Sequence, residues 1–422
     1  MDWLPTAYWI ISGAALIGGL LLVLQSFEHR RYARGRGRRI SAKAPRDHVT
    51  LFVPCKGVDD DLEQNLRAMF EQDHADYELV FIVESVDDDA YRPICRLIAE
   101  YTQRRAQVLI AGLATTDGQK VHNLLAATEW LPPQTRILAF ADADIRPPKD
   151  WLRLLTQQLH KLGAATGYRR FVPKRTTLAN LLVASIDSAV VPIMFPSFHH
   201  KVWGGSWAIR RELFESTAMR ESWRGTLSDD LVASNVLAQA HQTLALETAC
   251  ILPSPIDIDF PTMLSWIRRQ FIIGRFYSPW LWLVVLVGHC AGQLILWANV
   301  VAAAVGLAIG AAWTWQPAAV VATLYAMHVI RGWFRQSASR YYLPEHQQAL
   351  AGVRKLDIWC GPLGGAVLAC ALVWSAIGRR ISWKNNVYEM SYGGQIRRIP
   401  TGPRQDEKLK AGTDTDVTRR AA

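Results

Sequence analysis

Cysteine is scarce in this chain: there are six cysteines in 422 residues, and no two of them form a CxxC pair. This spacing excludes the usual patterns of a structural zinc site. The simplest interpretation is a reduced, cytosolic domain that contains no structural zinc. The sequence also has no internal repeats, so a repeat architecture is not expected.

The N-terminal apolar run lacks the features of a cleaved signal peptide. The run WIISGAALIGGLLLVL, residues 9–24, follows an acidic start and has its basic residues behind it rather than in front. With its neighbours it reaches the roughly 20 residues that a membrane-spanning helix needs. We therefore predict an uncleaved transmembrane anchor over residues 1–27.

A basic segment, which we assign to a juxtamembrane linker over residues 28–47, follows this anchor. It has six arginines between positions 30 and 39. Nucleic-acid binding is one interpretation, but a basic segment beside a span also follows the positive-inside rule. The net charge of +10 is largely explained by this segment and a basic C-terminus, so we predict no nucleic-acid partner. The N-terminus is then outside, and the following domain is cytoplasmic.

Short apolar runs alternate with segments of helical periodicity between residues 45 and 170. We predict strands over 49–53, 79–83, 108–110 and 137–140, and helices over 62–70, 91–101 and 120–129. This alternation is typical of βαβ units and predicts an α/β domain with a mainly parallel sheet. Ligands of such sheets bind at the carboxyl ends of the strands, where Lys56, the acidic run 87–89, Asp142 and Asp144 fall.

The two aspartates after the strand 137–140 have the spacing i and i+2, so their side chains point to the same side. Like charges that close repel each other unless a cation lies between them. One interpretation is a solvated turn, which the following Ile-Arg-Pro-Pro favours. The other is a divalent metal ion that carries a phosphate, and the convergence of charged residues at the strand ends favours this second interpretation.

The second half of the chain is rich in apolar runs. Residues 178–196 are interrupted by Asp187 and prolines, which indicates a helix at the bilayer surface or lipid pocket, or equally a buried core helix. We predict a transmembrane region over 279–378, with spans near 281–310, 317–333 and 361–377. Three spans would leave the basic tail, 379–422, outside, so the number of crossings stays open. The end of this tail, about 401–422, is predicted to be disordered.

Seven motifs together cover roughly residues 48–280: VPCKGVDDDLEQNL, YELVFIVESVDDDAY, GQKVHNLL, FADADIRPPKDWL, VWGGSWAIRRELF, GTLSDDLVAS and SWIRRQFIIGRFY. In this order they resemble inverting glycosyltransferases of the GT-A fold. The resemblance is narrower to the ceramide-glucosyltransferase-like branch, which includes bacterial enzymes that act on lipids. No single motif is specific, but all seven occur in the family's order.

The resemblance implies a GT-A catalytic domain over residues 48–278 with a nucleotide-sugar site. Asp142 and Asp144 are then the ligands of Mg²⁺ or Mn²⁺, with Asp144 the more direct one, and the ion neutralises the departing UDP. Either Asp87 or Asp88 is implied to bind the nucleoside. The residues assigned to the donor are Lys56, Asp87, Asp88, Lys120, Asp142, Arg268, Arg269, Gln270 and Arg275.

Inversion requires a base that deprotonates the acceptor hydroxyl. By its position Asp230 matches the base of the family's acidic pair, and Asp229 replaces the glutamate. Capping of a helix by Ser228, with acids in its first turn, is a structural alternative that is compatible with this role. The resemblance assigns the acceptor to the glycine-rich loop, namely Gly204, Gly205, Ser206 and Trp207.

The last motif departs from the family's (Q/R)xxRW pattern, because residues 265–269 read SWIRR. The arginine is kept as Arg268, while the tryptophan is replaced by Arg269. Juxtamembrane positive charge is an alternative role for this cluster. The missing tryptophan favours transfer of one sugar over processive polymerisation.

We predict a multi-pass membrane enzyme, in a bacterial inner membrane, that moves one sugar from a UDP-sugar to a ceramide- or hopanoid-like lipid. The alternatives are a processive polysaccharide synthase and a non-catalytic nucleotide-binding membrane scaffold.

Overall fold

The computed structural model describes residues 3–36, 47–59, 61–194, 201–383 and 386–399. It divides into two compact units. The sheet unit consists of residues 38–169, 196–253 and 378–422, and the helical unit consists of residues 1–37, 170–195 and 254–377. The predicted linker residues 37–46 and the end of the predicted tail, 400–422, lie outside the described residues.

The elements are numbered in chain order. The α-helices are α1 (Trp3–Arg36), α2 (Leu62–Phe70), α3 (Tyr91–Glu100), α4 (Gln119–Glu129), α5 (Trp151–Thr156), α6 (Leu178–Val190), α7 (Arg211–Ser216), α8 (Met219–Trp223), α9 (Asp229–Gln239), α10 (Phe260–Tyr277), α11 (Pro279–Ala308), α12 (Trp315–Tyr342), α13 (Ala351–Trp359) and α14 (Gly361–Ser375). The strands are β1 (Val49–Pro54), β2 (Tyr77–Val83), β3 (Ala106–Ile110), β4 (Ile137–Ala141), β5 (Ala164–Pro173), β6 (Ser206–Arg210), β7 (Leu244–Ile256), β8 (Arg380–Trp383), β9 (Asn386–Met390) and β10 (Ile396–Ile399).

The larger sheet has the strand order β3-β2-β1-β4-β6-β5-β7. The pairs β2–β3, β1–β2 and β1–β4 are parallel, whereas β6 runs antiparallel to both β4 and β5. This confirms the predicted fold class, a Rossmann-like α/β domain with a mainly parallel sheet. The helix predicted over 62–70 has the bounds of α2, and the other predicted elements of this region differ at their ends by no more than two residues.

The central strands β1 and β4 are almost entirely apolar because both faces of the sheet are covered. Every residue of β4 is buried, and so are the first five residues of β1. The ring of Phe140 stacks on Trp207 of β6, with ring centroids 4.5 Å apart, and also on Phe52, with centroids 5.4 Å apart. This core fixes the carboxyl ends of β1 and β4, where polar residues begin.

A small antiparallel sheet follows the last helix and belongs to the sheet unit. Its strands are ordered β10-β9-β8. The sequence analysis assigned these residues to a tail, whereas the structure folds them into a hairpin and a third strand. The connection between β9 and β10 contains Gly393 and Gly394, both with positive φ. Consecutive positive φ values suit a tight hairpin turn, which glycine adopts without steric cost.

The helical unit contains two helices that are long and apolar enough to cross a membrane among the described residues. They are Thr6–Gly35, within α1, and α11. The helices α13 and α14 pass the same test only as a pair that is bent by 85°, which describes either a broken span or a re-entrant loop. The predicted spans near 9–24, 281–310 and 361–377 fall in these elements.

The span predicted over 317–333 is not among these helices. It lies in α12, which also contains Arg331, Arg335 and Arg340. The side chain of Arg335 is buried and its Nη2 lies 2.7 Å from Asp357 of α13. Buried charges require partners of this kind, so the second half of α12 is a polar packing surface within the helical unit.

The segment 178–196 begins with α6, whose side chains are mostly buried within the helical unit. The buried carboxylate of Asp187 accepts a hydrogen bond of 3.1 Å from the N–H of Phe171 and lies 3.3 Å from Arg170 Nη1. Ser185 of the same helix donates to Asp357 at 2.9 Å. Of the two interpretations of this segment, these contacts favour the buried core helix.

Candidate active site

A pocket opens at the carboxyl ends of β1 and β4 in the sheet unit. It is lined on one side by the turn after β1, by the start of α4 and by the turn after β4. The polar residues among these are Lys56, Asp59, Gln119, Lys120, Asn123, Asp142 and Asp144. The structure therefore brings together Lys56, Asp142 and Asp144, which the sequence places at strand ends, and adds Lys120 from the start of α4. The acidic run 87–89, which the sequence places at the same edge, is not among the residues that line this pocket.

Lys120 is the centre of a charged cluster at this pocket. Its Nζ lies 2.7 Å from Asp142 Oδ1 and 3.1 Å from Asp229 Oδ1. It also donates a hydrogen bond of 3.2 Å to the carbonyl oxygen of Gly204. One lysine thus connects the start of α4, the end of β4, the start of α9 and the loop that precedes β6.

Burial and charge oppose each other in this cluster. Burial alone lowers the pKa of Lys120, but the carboxylates of Asp142, Asp229 and Asp230 outweigh this effect and hold the pKa well above its usual value. Burial raises the pKa of Asp229 to about 6; Lys120 lowers it, while Asp230 and Asp142 raise it further. The second oxygen of Asp229, Oδ2, is buried without a hydrogen-bond partner. The lysine is therefore a fixed positive charge that faces three carboxyl groups.

Asp230 is half-buried beside the fully buried Asp229. Its Oδ2 accepts a hydrogen bond of 3.1 Å from the N–H of Gly204, and its Oδ1 accepts from the N–H of Leu231 at 2.8 Å and from the hydroxyl of Ser228. Ser228 also caps α9, because its Oγ accepts from Leu231. Capping and a fixed carboxylate at the glycine-rich loop therefore occur together, as the sequence analysis allows.

Gly204 has no room for a side chain. A Cβ at this position would lie 2.8 Å from both Lys120 Nζ and Asp229 Oδ2. We expect Gly204→Ala to displace the charged cluster and to lower kcat/KM by about 10²-fold, since displacements near 1 Å in a site have effects of this size. Steady-state kinetics would measure the loss.

The matched control for this substitution is Gly292→Ala in α11, where an added Cβ meets no atom within 4 Å. This control is expected to keep the wild-type kcat/KM. Wild-type kinetics of the Gly204→Ala enzyme would contradict a functional role for the tight packing around Lys120.

The pair Asp142 and Asp144 lines the pocket, and Asp144 is exposed. Across the described part of the chain, no group of three or more His, Cys, Asp and Glu side chains could hold a metal ion. Mg²⁺, however, is commonly bound by one or two carboxylates together with substrate phosphates. Two carboxylates in an open pocket therefore fit an ion that binds together with a diphosphate.

The predicted nucleoside-binding residues have different surroundings. Lys56 lines the pocket and forms an ion pair with Glu84, a residue at the end of β2 that the sequence analysis did not select. Asp88 Oδ1 accepts hydrogen bonds of 2.9 Å from the N–H groups of Gly57 and Ala90. Asp88 therefore holds the turn after β1, which lines the pocket, whereas Asp87 is exposed.

All four predicted acceptor residues, Gly204, Gly205, Ser206 and Trp207, are buried. The side chain of Trp207 is fully buried against Phe140, and Ser206 accepts a hydrogen bond of 2.9 Å from Trp151 Nε1. Both lie on β6, inside the sheet. In this conformation Gly204 and Gly205 lie in the loop before β6, beside the charged cluster, and an acceptor role for the four residues stays a prediction.

The predicted arginine cluster lies on α10 in the helical unit. Arg268 Nη2 donates to the carbonyl oxygen of Ile377 at 2.7 Å and Arg275 Nη1 donates to that of Ser375 at 2.7 Å. Arginines commonly satisfy helix C-terminal carbonyls in this way. These two arginines thus stabilise the end of α14. Arg269 is half-buried and Gln270 is exposed. Donor binding by these four residues stays a prediction.

The sequence analysis missed the residues that the small sheet contributes to the pocket, namely Trp383, Asn386 and Tyr388. A signal was present, because a Gly-Gly pair separates two short runs, NVYEM and IRRI, that contain β-branched and aromatic residues. The high arginine content of this segment led to its assignment as a tail.

Relatives of known activity and solved structures resemble this chain. Ceramide glucosyltransferase 3 of Caenorhabditis elegans is 20% identical over 363 residues, which are 82% of this chain and 74% of that protein. Ceramide glucosyltransferase 1 of the same organism is 30% identical over 79 residues, 19% of this chain and 17% of that protein.

Two solved structures were found among the similar ones. The mannosyltransferase PcManGT of Pyrobaculum calidifontis, in complex with GDP-Man and Mn²⁺, is 14% identical with a TM-score of 0.47, and covers 87% of this chain and 97% of its own. Glucosyl-3-phosphoglycerate synthase of Mycobacterium tuberculosis, in complex with Mn²⁺ and UDP-glucose, is 15% identical with a TM-score of 0.36, and covers 55% of this chain and 79% of its own.

The sequence matches glycosyl transferase family 21 over residues 14–396, which is nearly the whole described chain. The match includes the charged cluster around Lys120, the acidic pair and most of the small C-terminal sheet. The predicted resemblance is thereby confirmed, and the chain is a glycosyltransferase that belongs to glycosyl transferase family 21.

Proposed function

We propose that this glycosyltransferase moves one sugar from a UDP-sugar to the hydroxyl group of a lipid, with inversion at the anomeric carbon, at a membrane. The observation that carries the proposal is the cluster in which Lys120 contacts Asp142, Asp229 and Gly204. It places one cation and several carboxylates at the strand ends, beside the half-buried Asp230.

The donor side of the proposal rests on Lys56, Lys120, Asp142 and Asp144. The two lysines supply positive charge in the pocket, which suits the anionic diphosphate of a nucleotide sugar. Asp142 and Asp144 would hold Mg²⁺ or Mn²⁺, which when bound supplies the Lewis acidity that stabilises the departing diphosphate. Asp142 also keeps Lys120 oriented through their contact of 2.7 Å.

The acceptor side of the proposal rests on Asp230 and the loop at Gly204. The Asp230 carboxylate would take the proton of the acceptor hydroxyl as this oxygen attacks the anomeric carbon. Its hydrogen bond with the N–H of Gly204 fixes the carboxylate against the loop. Asp229 is buried and contacts Lys120, so we assign it to positioning of the lysine rather than to direct proton transfer.

The lipid acceptor and the membrane setting are supported by two observations. The chain has two helices that are long and apolar enough to cross a membrane, in the part that the structure describes. Its curated relatives are named ceramide glucosyltransferases. We therefore propose a ceramide- or hopanoid-like acceptor, a multi-pass protein of an inner membrane and a catalytic unit on its cytoplasmic side.

The proposal predicts metal-dependent release of UDP. The detergent-purified enzyme would be mixed with a panel of UDP-sugars, with and without Mn²⁺ and with and without a membrane lipid extract. We expect one donor to give UDP release that requires Mn²⁺ and is stimulated by lipid, because the lipid supplies the attacking hydroxyl. Asp142→Ala and Asp230→Ala are expected to abolish this release.

Two outcomes would contradict the proposal. Release that leads to a growing sugar polymer without lipid would favour a processive polysaccharide synthase. Binding of UDP without turnover of any donor would favour a non-catalytic scaffold.

A further inference from the structure

The small C-terminal sheet lines the same pocket as the charged strand ends. Three of its side chains, Trp383, Asn386 and Tyr388, lie in the pocket wall that also includes Lys56 and Lys120. The family's motifs, as recognised in the sequence, end near residue 280, so they assign no function to this sheet. All of these residues belong to the sheet unit.

The sheet is held to the pocket by specific contacts. The hydroxyl of the buried Tyr388 accepts a hydrogen bond of 3.3 Å from the N–H of Gln119, the residue before Lys120. The N–H of Ile396 donates to the carbonyl oxygen of Gly225 at 3.0 Å, in the loop that leads to the acidic pair. The sheet therefore contacts the start of α4 and the loop before α9, two of the segments near the charged cluster.

Hydrogen bonds from Arg398 hold the face of this sheet that lines the pocket. Arg398 donates to the carbonyl oxygen of Ala114 at 3.1 Å and to Asn386 Oδ1 at 2.7 Å. Asn386 is buried and also interacts with the hydroxyl of Tyr388. Asn386 and Tyr388 are thus committed to protein contacts, which makes them positioning residues. Trp383, which pairs with Asn386 across β8 and β9, is half-buried and has a large aromatic side chain on this face.

The chemistry of the pocket divides into two kinds of wall. The strand ends supply charged groups, namely Lys56, Lys120, Asp142 and Asp144, which suit a diphosphate and a metal ion. The sheet supplies an indole and a phenol ring. A nucleoside diphosphate has the same division, because its phosphates are charged and its base is a flat aromatic ring. Tryptophan commonly binds such rings by stacking.

We propose that the C-terminal sheet is part of the donor site, in which Trp383 stacks on the nucleobase of the nucleoside diphosphate. Asn386 and Tyr388 hold the sheet, and with it Trp383, in position at the pocket. This inference rests on the proposed function, because it takes the donor to be a nucleotide sugar. It extends that function by assigning recognition of the base to residues that follow the last apolar helix.

The test compares four full-length proteins in detergent: wild type, Trp383→Ala, Trp383→Phe and Trp130→Ala. Trp130 is a matched control in the same unit, 85% exposed at the end of α4. Calorimetry without acceptor gives the dissociation constants of UDP, CDP and GDP. Kinetics give kcat and the KM values of donor and acceptor.

We expect Trp383→Ala to weaken binding of UDP by about 10- to 100-fold, the range for loss of one base–aromatic stack. Its donor KM rises in parallel, while kcat at saturating donor and the acceptor KM are unchanged. Trp383→Phe retains most of the affinity, because an aromatic ring is kept, and Trp130→Ala behaves as wild type. Tyr388→Phe, which removes the acceptor of the Gln119 N–H, raises the donor KM without lowering kcat.

A measurement on the wild-type protein tests the inference even if the Trp383→Ala variant does not fold. We expect UDP to slow amide hydrogen exchange in the peptide 386–399 of wild type. Equal UDP affinity of a folded Trp383→Ala protein, or exchange in this peptide that UDP does not change, would overturn the inference alone. A wild-type protein that binds none of the three nucleoside diphosphates would overturn the proposed function as well.

Discussion

Asp230→Asn is expected to lower kcat by about 10²- to 10⁴-fold, the usual contribution of a general base, without weakening the binding of UDP. The amide has nearly the shape of the carboxyl group, and its oxygen can still accept the hydrogen bond that Gly204 donates to Asp230 at 3.1 Å. The NH₂ group then replaces Oδ1, but the N–H of Leu231 keeps Ser228 Oγ as an acceptor at 3.3 Å. What the amide lacks is the ability to take a proton from the acceptor hydroxyl. The substitution therefore separates proton transfer from the structure of the loop.

The measurement has two parts, namely kcat from UDP release at saturating donor and lipid, and the dissociation constant of UDP from calorimetry. Asp89→Asn is the matched control, because it makes the same chemical change at an exposed residue of the sheet unit. We expect this control to be indistinguishable from wild type. Comparable thermal unfolding of all three proteins would show that lost activity is not lost folding.

Two results would contradict the assignment of Asp230 as the general base. A kcat within a few-fold of wild type would mean that another group takes the proton. A loss of UDP affinity as large as the loss of kcat would mean that Asp230 acts on the donor. Asp229→Asn should be measured together with Asp230→Asn, because Asp229 is buried and contacts Lys120. A positioning role predicts a change in donor binding for that variant.

The strands of the larger sheet could be predicted from the sequence because they are buried. Strands buried on both faces are continuous apolar runs, and polar residues mark where they end. The runs before Lys56 and Asp142 are of this kind, and the structure places both residues in one pocket. The position of charged residues at the carboxyl ends follows from the topology alone.

The sequence could not assign the acidic run 87–89 in the same way, because three identical neighbours differ only in what they face. The structure shows that Asp88 accepts from the N–H groups of Gly57 and Ala90, which is a local structural role. Likewise, the glycine-rich loop and β6 are adjacent in sequence. Only the pairing of β6 with β4 reveals that Trp207 faces the core.

The small C-terminal sheet escaped prediction because its strands are short and carry charged residues on their exposed face. The composition therefore resembled a basic tail, and strands of four or five residues are too short to show a clear alternation of apolar and polar residues. Its position depends on distant contacts, such as that between Tyr388 and the N–H of Gln119. Contacts of this sequence separation are not visible in local patterns.

Lys120→Met is expected to destabilise the protein by about 2–4 kcal/mol at pH 8, because it leaves Asp229 buried without its positive partner. The lysine itself retains 20% exposure of its side chain, so we place the cost slightly below that of a fully buried pair. Unfolding by denaturant in metal-free buffer measures the change. Lys149→Met is the control: its side chain is 77% exposed, and loss of an exposed ion pair has little effect.

The cost should depend on pH in a defined direction. The pKa of Asp229 is already raised to about 6 by burial, against the lowering effect of Lys120, and loss of the lysine raises it further. A carboxyl group whose pKa is higher in the folded state than in the unfolded state binds more protons when folded, so stability falls as the pH rises through this range. Lys120→Met should therefore be destabilised less at pH 5 than at pH 8.

The double variant Lys120→Met/Asp229→Asn distinguishes stability from function. Neutralising both partners removes the uncompensated buried charge, so we expect it to recover most of the stability that Lys120→Met loses and to lose the pH dependence. Its activity should stay lost, because Asp142 no longer has the lysine at 2.7 Å and the pocket lacks a cation for the diphosphate. Recovery of activity together with stability would mean that Lys120 serves folding alone, whereas stability without activity assigns its charge to the donor.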